Sequence, residues 1–165
     1  MRKIVLAVGL CLNFMYLAPA SADGGLGIAA MNELPIHHAA RFGTRGEVER
    51  LLRADPKQRD IPTAHGSTPL HLAALNADSG PLETLLAAGS PVNSRDSEGA
   101  TPMHIAAFAT RTANAVALLK AGADPSLKTN IGRDVLSMAR KVRADELAGI
   151  VSLWILKGCS AKKPC

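Results

Sequence analysis

Five histidines and three cysteines are the residues of this 165-residue chain whose types could carry catalytic or metal chemistry. His37 and His38 are adjacent, so on a helix they point about 100° apart. Chelation from a single helix needs i and i+4 instead. His65 stands in a polar, turn-rich stretch, where a contact role suits it better than a ligand role. His37, His71 and His104 share one recurring slot in the sequence. No H-E-x-x-H, C-x-x-C, G-x-S-x-G or phosphate-cradling glycine loop occurs. The expectation is no catalytic residue, no metal ligand and no cofactor. A hydrolase built from scattered residues has no motif in its support. Arg140, Lys141 and Arg143 fall late in a helical stretch, where cations suit the macrodipole, and read as a solvated helix end.

The chain opens MRKIVLAVGLCLNFMYLAPASA. Arg2 and Lys3, the apolar run Ile4–Leu17 and the small residues Ala20-Ser21-Ala22 form the three parts of a signal peptide. The apolar run is too short for an ordinary membrane span. Cys11 lies inside it behind Leu10, which argues against lipid attachment. A mature chain from near Asp23 is expected in the periplasm or outside the cell, with no stable membrane anchor. Its net charge is then +3 rather than +5. With aromatics at 3%, platforms for stacking bases are scarce, and nucleic acid is not an expected partner. Two cysteines remain, Cys159 and Cys165. An even count in an oxidising compartment favours a disulfide that closes a small loop, with two free thiols the alternative. By chain entropy so short a loop is worth about 2 kcal/mol.

The elements that would position these residues announce themselves by repetition. HGSTPLHLAA at His65–Ala74 returns as EGATPMHIAA at Glu98–Ala107. Gly66 and Gly99, Thr68 and Thr101, and His71 and His104 are all separated by the same interval, from position 66 to 99, 68 to 101 and 71 to 104. Such self-similarity at a fixed period marks a stacked repeat array. Thr68 and Thr101 suit a helix N-cap, and Pro69 and Pro102 suit the first helical position. The alanines that follow allow close approach of a neighbouring helix. LPIHHAARFG at Leu34–Gly43 is an earlier copy, and GRDVLSMAR from Gly132 a degenerate fourth. Leucine-rich second helices follow around Val48–Leu52, Leu82–Ala88 and Val116–Lys120. Gly89 and Gly122 are placed to end two of these in a left-handed conformation. The fourth second helix is expected over Ile150–Trp154, displaced toward the C-terminus by a short insertion. The apolar run Gly149–Leu156 reads as that helix, buried.

These stretches resemble the ankyrin repeat, whose T-P-L-H-x-A core they carry almost letter for letter. The resemblance implies an all-α solenoid of about four helix-turn-helix repeats, over roughly 34–66, 67–99, 100–132 and 133–156, joined by β-hairpin fingers. A flexible leader (23–33) would precede it and a short tail (157–165) would follow. It also implies that His37, His71 and His104 hydrogen-bond within and between repeats. The implied function is binding of another protein on the concave side, by a monomer. Candidate contacts are Arg41, Phe42, Arg59, His65, Asn76, Arg95, Asp96, Glu98, Phe108, Lys128 and Asn130. For Phe42 and Phe108, buried packing and exposed anchor weigh equally. The partner role would be that of an inhibitor or immunity-type protein, or else of an accessory to a resident envelope enzyme.

Overall fold

Proline opens the first helix of three successive repeats, at Pro35, Pro69 and Pro102, where its missing N–H costs nothing. The computed structural model describes residues 33–159 and contains eight α-helices in four antiparallel pairs. They are α1 (Pro35–Phe42) with α2 (Arg45–Ala54), α3 (Pro69–Ala73) with α4 (Gly80–Ala87), α5 (Pro102–Phe108) with α6 (Thr112–Lys120), and α7 (Val135–Lys141) with α8 (Asp145–Leu156). The first helices stack α1 on α3 on α5 on α7, while α2 packs on α4 and α6 on α8. A continuous apolar core runs between the two layers, through Ile36, Leu70, Leu85, Met103, Leu118 and Val151, all inaccessible to water. Most of these helices are too short to persist alone in water, so stacking supplies their stability.

The repeat register extends further than the sequence motifs suggest. From Thr112 to Asp145, the starts of α6 and α8 are one full period apart, and Val151 takes the buried place of Leu118. No insertion precedes α8, which corrects the expectation for the fourth unit. The helix begins well before Ile150, at Asp145, and is buried on one face only, through Leu147 and Val151. Leu153 and Leu156 on its other side are exposed, as is Ile155 in the last turn. The first repeat, by contrast, has no glycine to end its second helix. Gly89 and Gly122 take φ +85° and +99°. Pro56, at the corresponding place, opens a 3₁₀ turn (Pro56–Asp60) that accommodates the longer first interval.

The fingers are turns, not β-hairpins. Among the described residues there is no strand, and one isolated bridge joins Lys128 to Asp134. Each turn closes on itself by an equivalent bond, Thr63 N–H to Ser67 O, Asp96 N–H to Ala100 O and Thr129 N–H to Arg133 O. Gly66, Gly99 and Gly132 all sit in the left-handed region. At Gly99 a Cβ would also strike Asn130 Oδ1. Successive turns are stitched by Ser97 N–H to His65 O (3.0 Å) and Asn130 N–H to Glu98 O (2.9 Å). A single backbone bond per joint is too little to make a ladder.

Candidate functional site

The recurring histidines are joints between repeats. His71 Nε2 lies 3.1 Å from Ala100 O and His104 Nε2 lies 3.2 Å from Arg133 O, each carbonyl belonging to the next turn along. A carbonyl only accepts, so Nε2 carries the proton and Nδ1 is bare. That Nδ1 accepts from Thr68 N–H at 3.1 Å, or from Thr101 N–H at 3.2 Å. The threonine hydroxyls also meet it, at 3.0 and 2.9 Å. Thr68 and Thr101 stand at the N-cap positions, as expected, and the histidine three residues on completes each capping box by accepting from the threonine N–H. Burial, the leading cause, holds both rings below their ordinary pKa, against the pull of the Ala100 and Arg133 carbonyls. His37 follows the pattern with a different acceptor, Ile61 O at 2.7 Å. In the fourth repeat Asp134 is a true N-cap. Its Oδ1 accepts from Ser137 N–H at 2.7 Å, and this bond pulls its carboxyl below the ordinary value.

Several candidate contacts turn out to be structural ties. Asn76 is 8% exposed and donates through Nδ2 to Ala40 O and Gly43 O of the preceding repeat. It cannot reach a partner. Asn114 does the same one repeat later, to Ala73, Ala74 and Asn76 carbonyls. Asp96 Oδ1 accepts from Glu98 N–H and Ala100 N–H, which shapes its own turn. Arg59 is half-buried, paired with Asp60 and donating to Ala88 O at 2.6 Å. Arg95, though exposed, donates to Lys128 O at 2.6 Å, and Asn130 Nδ2 donates to Ser97 O at 3.0 Å.

Two hollows bring together several of the candidate residues, tied and untied. Glu98, Phe108 and Asn130 line one groove of about 630 Å³ between the turns and the first helices α5 and α7. Phe108 is 62% exposed, and Ile131, opposite it in the lining, is 71% exposed. Ile105 and Met138 continue the apolar floor, and Arg133 and Glu98 set opposite charges at its edges. Arg41, Phe42 and Asn76 border a second hollow of about 380 Å³ with Arg111. There the Arg41 guanidinium lies 5.0 Å from the exposed Phe42 ring, a cation–π contact. Both phenylalanines are therefore exposed and not packed. His65 is exposed at its turn tip and Lys128 is exposed at the base of the last turn, each outside both hollows.

Ile131, Ile105, Met138 and Arg133 were not expected. Ile131 was detectable, because it stands one period after Glu98 and two after His65, in a slot where polar side chains belong. Among the described residues, no group of three His, Cys, Asp or Glu side chains could hold a metal, and no helix is long and apolar enough to cross a membrane. The proposed Cys159–Cys165 pairing rests on Cys165, which lies outside the described residues, as do the signal peptide and nearly all of the leader.

A family profile described as ankyrin repeats (three copies) matches residues 36–129, more than half of the chain. The chain belongs to the ankyrin-repeat family, whose repeats form protein-binding modules. No curated protein matches it.

Proposed function

We propose that this chain is exported and acts as an inhibitor or immunity-type protein, seating a partner protein of the cell envelope in the groove between Phe108 and Ile131. The supporting observation is the groove itself. Two large apolar side chains stand exposed where the stacking leaves them no work, with Glu98 and Arg133, of opposite charge, in the same lining. Aromatic and aliphatic anchors in such a setting carry most of the energy of a protein interface, while rim charges steer and select. The seat is small, so the partner would insert a single element, a loop or helix turn, with apolar residues at its tip. If the inserted element borders the partner's active cleft, the bound solenoid would cover that cleft and block it, whereas a seated element away from the cleft would leave the enzyme working and protected.

The decisive experiment pairs the mature protein with a Phe108→Ala/Ile131→Ala variant as baits in envelope extracts. A protein retained by the first and lost from the second supports the reading, and an assay of that protein's own activity tells blocking from protection. Equal retention by both would move the search to the Phe42 hollow. Export itself is read by mass spectrometry. The N-terminus of the native protein should lie at or near Asp23, and an uncut chain as the main species would remove the envelope from the proposal.

A further inference from the structure

The second hollow differs from the groove in its charge. Arg41, Phe42, Leu75, Asn76, Ala77 and Arg111 line it, two cations and no acid, whereas the groove sets Glu98 against Arg133. Acids in the neighbouring loops and helix starts are already engaged. Glu47 accepts from Thr44 N–H, Asp78 Oδ1 accepts from Gly80 N–H, and Glu83 pairs with Arg45. Between Glu98 and Asp124 the chain carries no acid at all. Arg111 is half-buried, and its Nε donates to Leu75 O at 3.0 Å. That bond fixes the guanidinium and leaves its Nη groups without an acceptor among the described residues. Arg41 donates to no acceptor there either, and meets only the ring of Phe42, itself 67% exposed. Helix electrostatics account for one of the two cations. Arg41 stands in the last turn of α1, where positive charge is favoured, but Arg111 stands at the N-cap of α6, where it is not.

We propose that this hollow binds an acidic segment of a partner protein. A carboxylate of the segment meets Arg41 and Arg111, and an apolar side chain beside it rests on Phe42 and Leu75. A guanidinium presents its donors in a planar fork that matches a carboxylate. Because Arg111 is already held, it loses little side-chain freedom when the carboxylate arrives. Its partial burial also strengthens the attraction relative to a fully wet pair. A nucleic acid needs a track of cations along its backbone, and the hollow offers two. The inference concerns a separate hollow and does not rest on the groove.

The test titrates the isotope-labelled chain from Asp23 onward, which keeps all eight helices, with a capped Gly-Asp-Leu-Glu-Gly peptide or its neutral Gly-Asn-Leu-Gln-Gly counterpart. NMR follows the Nε–H signals of Arg41 and Arg111 and the ring protons of Phe42. The acidic peptide should move them saturably, less so as salt is added, and the neutral peptide should not. Arg41→Gln should weaken binding about fivefold with an unchanged circular dichroism spectrum, since Arg41 ties no part of the fold. Phe108→Ala/Ile131→Ala should bind the acidic peptide as the parent does, so the two hollows stand or fall separately. Equal shifts with both peptides, no saturable shift with the acidic one, or unchanged binding by Arg41→Gln would overturn the assignment. So would shifts centred on Arg140, Lys141 and Arg143, or a stronger response to inorganic phosphate than to the peptide.

Discussion

At the scale of the residue, the joints between repeats depend on a proton being absent. His71 and His104 must offer a bare Nδ1 to the backbone N–H of Thr68 and Thr101, and a protonated ring would set donor against donor. Their pKa values are depressed in the folded chain, from an ordinary 6.5, so below that pH the unfolded chain binds more protons. Stability is then full above about pH 6.5 and falls as the pH drops through and below that value. Urea denaturation at neutral pH and again in mildly acidic buffer should show the loss, and a His71→Leu/His104→Leu variant that still folds should show a flatter profile. A second residue holds strain of a different kind. Thr110 has φ +56°, a left-handed conformation that a β-branched residue adopts at a cost. Because Thr110 is exposed, Thr110→Gly should raise stability by about 1 kcal/mol in the same assay. A loss instead would mean that its hydroxyl bond to Ala109 O outweighs the strain.

At the scale of the element, the repeats speak to each other in both directions. Histidine reaches forward to the next turn, and Asn76 and Asn114 reach back into the carbonyls at the end of the preceding first helix. Asn76→Ala would strand the Ala40 and Gly43 carbonyls in a buried site, with an expected cost of about 1–3 kcal/mol in chemical denaturation. The same change at exposed Asn93 should cost much less. The helices, their order and the period are legible from His65–Ala74 and Glu98–Ala107 alone, since a proline start and a buried histidine in register leave few other folds. Less legible is who bonds to whom. Thr68 reads as the cap because hydroxyls at helix starts usually are, and only the position of the His71 ring shows that the ring shares the capping. Asn76 reads as a polar loop residue because its burial is created by a neighbour in the preceding repeat. Ile131 is easily passed over, because turn tips are where polar side chains are sought. The shortness of the turns hides the rest, because one bond per joint writes no alternating strand pattern.

At the scale of the whole molecule, exposed apolar side chains stand at two levels of the stack. Phe108 and Ile131 line a groove within it, and Leu153 and Leu156 project from the helix at its end. Phe108→Ala and Ile131→Ala should each leave thermal stability within about 0.5 kcal/mol of the parent, because these side chains are mostly in water already. A larger loss would show that the ring supports the fold. The two-way stitching also has a mechanical meaning. A chain whose repeats bond only to their neighbours behaves as a row of links, and a pull on its two ends loads the joints in series. The last link is the less secured, for His104 still reaches forward to Arg133 O but Leu147 stands where a buried asparagine would reach back. Stretched in an optical trap, the molecule should let go of α7 and α8 first, then lengthen in steps of about 11 nm as each repeat runs out. Tension along the stack would be released at that weakest link before any other joint gives, so the last pair of helices acts as a fuse for the rest.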